Sequence, residues 1–276
     1  MRLGPVILLL IFSFVKAEAG WATMAELPAV SADALQPYLA TTNASIDQAA
    51  WTSFIDKLSK KKASTKSETQ FLRHVFNRTH QQFLKRFTTN TTFASVFDTG
   101  AYNCLTGTIL YSLILNHFRI DHQVIETNYH IFILAQTHEG EVLMEVTDPQ
   151  EGFVTSAEKI ALRIEQYRHQ GIQPADPSLF YYQYSFDLYN VVSQNELIGL
   201  LYYNLAVESF NQKALQKAVY YLGRAIDRYA SPRIEELSEI LLLAVHESNL
   251  KEQEKTLCKK ELQTIRYKAM VVMAKL

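Results

Sequence analysis

Cysteine is scarce. Cys104 and Cys258 are the only two in 276 residues, which excludes a disulfide-dense scaffold and a zinc site built from several thiolates. Glycine and proline number 9 and 7, too few for a collagen or a Pro/Gly-rich linker protein. Neither sign of charge is in excess. With 27 basic and 28 acidic residues the formal charge is −1, so the chain lacks the basic footprint that a nucleic-acid backbone demands. No GxGxxG, GxxxxGK[ST] or HExxH occurs, and His74, His80, His117, His122 and His138 show no ligand spacing with a cysteine. Nucleotide, zinc and other cofactor chemistry therefore has no support. What is present is apolar: 48% hydrophobic and 12% aromatic residues, enough for a sizeable core in one large domain or two smaller ones.

One apolar run stands apart. Met1-Arg2 precedes Leu3 to Val15, a run of 13 residues interrupted only by Gly4, Pro5 and Ser13, too short to span about 30 Å of hydrocarbon comfortably. Lys16 follows, then small residues at Ala17 and Ala19, which fit a secretory cleavage site after Ala19. The expectation is an exported protein, periplasmic or extracellular, with residues 1–19 removed and no stable membrane insertion afterwards. Loss of Arg2, Lys16 and Glu18 takes the formal charge from −1 to −2. No cysteine adjoins the site to carry a lipid. In an oxidising compartment Cys104 and Cys258 can pair. Sequons at Asn43, Asn77 and Asn90 matter only in a eukaryotic host.

Residues 20–67 read as a lead-in, irregular to residue 44 and then helical, because Ile46, Ala49, Ala50, Phe54 and Leu58 recur at helical spacing. The charge run from Lys60 to Ser67 predicts a solvated linker. Phe71, Val75, Phe76, Phe83 and Phe87 mark a second helix. Tyr102 to Phe118 is apolar at spacings of three and four, a third helix. His122–Thr127, Tyr129–Gln136 and Glu141–Thr147 have strand character and are separated by turn signals. A helix followed by an antiparallel meander predicts an α+β fold. Tyr181, Tyr182, Tyr184 and Tyr189 form an aromatic cluster that reads as packing. From Glu196 the strand signal vanishes.

The chemistry-bearing residues lie in the middle. If the third helix starts near Asn103, Cys104 falls in its first turn, where unpaired N–H groups and the positive dipole end favour thiolate. The same N–H groups suit an oxyanion. Between the second and third strands lies His138-Glu139-Gly140. A three-residue loop with its glycine in the left-handed position pairs Thr137 with Glu141. That register sets His130 directly opposite Asp148, within reach of a hydrogen bond. A two-residue turn slips the register by one and separates them. Cys104, His130 and Asp148 thus make a nucleophile, a base and an orienting acid.

Tyr102-Asn103-Cys104 heading a helix, Tyr129-His130-Ile131-Phe132 on a strand and Glu145-Val146-Thr147-Asp148-Pro149 closing the next resemble the bacterial transglutaminase-like superfamily, a branch of the papain-like cysteine enzymes. The likeness covers roughly residues 68–155. It implies a papain-like core, a nucleophile helix against an antiparallel sheet, in a domain of residues 68–193. It also implies that the family's catalytic Cys, His and Asp fall on Cys104, His130 and Asp148. Members are proteases, amidases, acyl transferases or inactive scaffolds. Many papain-like enzymes add a side-chain oxyanion donor; Gln81, Gln82, Tyr102 and backbone groups alone are all open. Tyr202, Leu205, Ala206, Ala218, Leu222 and Ala225, with Pro232 beyond, resemble one tetratricopeptide repeat. An all-α tetratricopeptide-like region is therefore expected over residues 194–276, a helical cap with a surface for a protein partner.

Three readings follow. The first is an exported cysteine-nucleophile hydrolase or acyl transferase acting on an amide or peptide, in a peptide or protein substrate, with hydrolysis favoured over transfer. The second is an inactive transglutaminase-like binding scaffold. The third is a purely structural Cys104–Cys258 staple.

Overall fold

The computed structural model describes residues 32–169 and 188–273. The leader at 1–19 and Tyr181, Tyr182 and Tyr184 lie outside them. The described part of the lead-in is short helical turns at Ala32–Ala34, Gln36–Leu39 and Ala40–Thr42, rather than irregular chain. They are held by Leu35 and Leu39, both fully buried. Helix α1, Gln48–Ser64, is capped by Asp47, whose side chain accepts from the Ala49 N–H. It runs straight through the lysines read above as a linker. Lysine is a good helix former and is favoured at the negative C-terminal end. Lys62 also donates to the Phe118 carbonyl at 3.0 Å and lies over the rings of Phe71 and Phe118. The break comes at Thr65–Ser67, where Ser67 caps α2, Glu68–Gln82.

α2 ends before Phe87. Arg86–Phe87 is extended instead and pairs in parallel with Ala101–Tyr102, which fixes the approach to α3, Cys104–His117. α3 is buried at every position from Leu105 to Leu115, as its unbroken apolar sequence requires.

The five sheet strands are β1 His122–Thr127, β2 Ile131–Thr137, β3 Gly140–Met144, β4 Phe153–Val154 and β5 Tyr189–Val192. Their antiparallel order is β4-β3-β2-β1-β5. Alternation sorts the side chains. Ile131, Ile133, Ala135, Val142 and Met144 join the main core, into which α3 also packs. Phe132, Leu134 and Leu143 face the other way, onto Ile160, Ile164 and Tyr167 of α4, Ala157–His169.

Four helices complete the described residues: α5 Gln194–Asn211, α6 Leu215–Ile226, α7 Pro232–Glu247 and α8 Glu252–Met273. Ala206, Ala218, Leu222 and Ala225 are completely buried. The main core runs on without a break from Leu35 to Ala269, so the helices pack onto the sheet region. Their firmest polar link is Arg233. It donates to the carbonyls of Thr127 and Asn128 and pairs with the buried Glu126 at 3.4 Å. Among the described residues no helix is long and apolar enough to cross a membrane.

Candidate active site

Cys104 is the first residue of α3. Asn103 caps the helix: its side chain accepts from the Thr106 N–H at 2.9 Å, while Thr106 Oγ1 accepts from the Asn103 N–H at 3.0 Å. The Asn103 amide also donates to the Thr89 carbonyl at 3.0 Å, tying the cap to the preceding loop. The N–H groups of Cys104 and Leu105, at the first two helical positions, have no intrahelical acceptor. Cys104 is half-buried, Cys258 is buried in α8, and both are free thiols. The staple of the third reading is therefore not formed. Burial pushes the Cys258 thiol above its ordinary value.

The hairpin differs from expectation by one residue. Thr137 pairs with Gly140, not Glu141, and Ile133 with Met144. The turn is His138-Glu139, and Gly140 follows at φ 129°, a conformation that costs glycine little. The cause is tertiary. The Glu139 carboxylate accepts from the N–H and hydroxyl of Thr69, at 3.2 and 3.1 Å, in the first turn of α2. The His138 N–H donates to Glu68 at 3.2 Å. Hydrogen bonds led by Ser67, against slight desolvation, bring the Glu139 carboxyl down to about 2. The helix N-terminus thus selects the shorter turn.

A slip of one residue sends the neighbouring side chains to opposite faces. In this register the residues sharing His130's face at the end of β3 are odd-numbered, and Glu145 lies on the diagonal, within reach of a long side chain. His130 Nε2 hydrogen-bonds Glu145 Oε2. Asp148 is turned away. Its carboxylate accepts from the N–H groups of Gln150 and Glu151, at 3.3 and 2.9 Å, and from Arg163 at 3.1 Å. The carboxylate bonded to His130 is therefore Glu145 rather than the expected Asp148, because the ladder ends at Met144 and residues 145–152 form a tight loop. Gly152 permits that loop: a Cβ there would meet the carbonyl oxygens of Glu145 and Asp148 at 2.1 and 2.3 Å.

Cys104, at the start of α3, is near enough to the His130 imidazole to favour its charged form. The side chains of His130 and Glu145 are 16% and 4% exposed, so the pair sits in a low dielectric where each charge needs the other. Burial alone pushes the imidazole down, but Cys104 and Glu145 win and hold it well above its ordinary value. Burial likewise opposes ionisation of Glu145, yet His130 and the N–H and hydroxyl of Thr147, at 2.8 and 2.6 Å, hold its carboxyl below the usual range. The row reads Cys104, His130, Glu145.

No family model matches this chain. No curated protein and no solved structure matches it either. The roles of these residues rest on the geometry alone.

Of the oxyanion donors left open above, Gln81 and Gln82 are exposed, and the Gln81 amide oxygen accepts from Arg78 at 2.6 Å. Tyr102 is buried beside Cys104 in sequence; burial first, then the charge of Glu145, raises its phenol. A cavity of about 240 Å³ lies beside the cap, lined by Thr92, Asn103, Leu201, Asn204 and Glu208. Among the described residues no group of three or more His, Cys, Asp or Glu could hold a metal ion.

Glu145 escaped the sequence reading, though a signal existed. It is the lone charge in Val142-Leu143-Met144-Glu145-Val146, an acid in a run that is otherwise core.

Proposed function

We propose that the chain is an exported cysteine-nucleophile enzyme that cleaves an amide or peptide bond, with Cys104, His130 and Glu145 as its catalytic residues. The observation that carries this reading is an imidazole hydrogen-bonded to a buried carboxylate, His130 to Glu145, beside a half-buried cysteine at the start of a helix. Its order along the chain supports a transglutaminase-like, papain-type core, with the carboxylate supplied three residues earlier than that resemblance implies. The apolar run Leu3–Val15 and the small residues before Gly20 support export.

The steps follow from the geometry. The nucleophile is the thiolate form of Cys104, with the proton on His130 beside Glu145. The sulfur attacks the substrate carbonyl, and the tetrahedral oxyanion is met by the N–H groups of Cys104 and Leu105. When the C–N bond breaks, His130 gives its proton to the leaving amine, and a thioester remains on Cys104. Neutral His130 then takes a proton from water as water attacks the thioester. The C–S bond breaks, the acid leaves, and thiolate and imidazolium are restored. An amine in place of water gives transfer instead. Glu145 stays ionised throughout and holds the ring in place.

The test is a panel of cysteine-directed electrophiles, including peptidyl vinyl sulfones, with labelling sites read by mass spectrometry. Labelling is expected at Cys104, with loss in His130→Ala and in Cys104→Ala. Labelling that ignores His130→Ala would overturn the assignment and favour a binding scaffold.

A further inference from the structure

Behind the row lies a second one that the steps above do not use. Arg163 and Tyr167 stand four residues apart on α4, one above the other on the same helix face. The Tyr167 ring packs on the His130 ring with centroids 4.7 Å apart and on Phe132 at 5.1 Å, closing that side of the imidazole. Arg163 reaches Asp148 at 3.1 Å and Glu151 at 3.9 Å, so the loop that carries Glu145 is fastened to the helix that carries Tyr167.

We propose that Tyr167 is a positioning residue for the catalytic pair, donating its hydroxyl to Glu145 while its ring covers His130, and that Arg163, anchored by Asp148, sets that hydroxyl's direction. The inference rests on the reading of Cys104, His130 and Glu145 given above. The bonds then converge on Glu145, which accepts from both sides. In this arrangement Arg163 donates to the Tyr167 oxygen and Tyr167 to Glu145, the partners that shift their ionisation, while His130 bonds Glu145 from the other side. The protonation states agree. Burial first, then the charge of Glu145, pushes the Tyr167 phenol up to about 12, so it keeps its proton. Arg163 is desolvated yet held charged by Tyr167 and Asp148.

A carboxylate with a single strong partner can swing about it; one that accepts from His130, Thr147 and Tyr167 has its oxygens assigned. That orientation keeps the imidazole aligned with the sulfur. Asp148, one of the three residues the sequence put forward, therefore acts at a distance, through Arg163 and Tyr167.

A double-mutant cycle tests this. The reading is the second-order rate of Cys104 alkylation by iodoacetamide at pH 6.5, in the full chain, with site occupancy measured by mass spectrometry. Tyr167→Phe keeps the ring and removes the hydroxyl. It is expected to slow alkylation about five- to ten-fold in the native background, the scale of one hydrogen bond to a charged group acting through a second residue, and less than about two-fold when Glu145→Gln is already present. Arg163→Gln is expected to act in the native background and not in Tyr167→Phe, with Arg163→Lys restoring part of the rate. Equal factors in both backgrounds, or no effect of Tyr167→Phe, would overturn the inference while leaving the catalytic row intact. Native Cys104 reacting no faster than it does in His130→Ala would sink both.

Discussion

Glu145→Gln separates a charged partner from a merely polar one. The amide has the carboxylate's shape and can still accept from Thr147, but it gives His130 no counter-charge. Glu145 is 4% exposed and His130 16%, so water cannot make good the loss. Removing one member of a buried pair costs about 3–5 kcal/mol, and the retained shape argues for the lower end, about 3 kcal/mol. For a chain of this size that is a fall in Tm of roughly 6–12 °C. The same loss lowers the His130 imidazole from its raised value and is expected to slow Cys104 alkylation by ~10²-fold. Asp148→Asn is the control. Asp148 is 35% exposed, its ion pair with Arg163 is near the surface, and an Asn can still cap the Gln150 and Glu151 N–H groups. It is expected to cost less than about 1 kcal/mol and to slow alkylation less than about five-fold. Thermal melts and iodoacetamide kinetics on the two variants decide it. An Asp148→Asn loss equal to or larger than that of Glu145→Gln would refute the assignment of Glu145.

Three more predictions follow from other parts of the structure. His130 binds its proton more tightly folded than unfolded, so its contribution is full below about 6.5 and is lost as pH rises through about 10. Glu145, held low, contributes above its ordinary range and is lost in acid. Tm is therefore expected to fall between pH 6.5 and 10 more steeply in the native chain than in His130→Gln, and parallel curves would contradict this. Arg233→Met leaves Glu126 buried without its cation and frees the carbonyls of Thr127 and Asn128 ahead of His130. Denaturant melts should show a loss of about 3–5 kcal/mol, and a loss under about 1 kcal/mol would refute the clamp. Gly152→Ala forces a Cβ into the carbonyls of Glu145 and Asp148. It should cost about 1–3 kcal/mol and slow Cys104 alkylation, whereas an unchanged rate would show that this loop does not position Glu145.

Local signals carried much of the fold. The α3 start was legible because Asn103 caps a long apolar run, and the hairpin because β-branched residues flank turn residues. The α+β order of a helix, a meander and then helices followed. The registration of the hairpin was not legible. Gly140 permits both loop lengths, and the choice is made by Glu139 and Thr137 meeting Thr69, seventy positions earlier for Glu139. That single step replaces Asp148 by Glu145. The lysine run at α1 was misread because its charge suggested solvent, while Lys62 is held by Phe118 and two rings. Tyr167 carried no signal at all, since only the packing of α4 across the sheet brings it to His130.

The account turns on whether His130 activates Cys104. The most direct measurement is the ratio of Cys104 alkylation rates in the native chain and in His130→Ala at pH 6, where an ordinary thiol near 8.5 is almost wholly protonated. A ratio of about 10² or more is expected; a ratio near one would contradict the account.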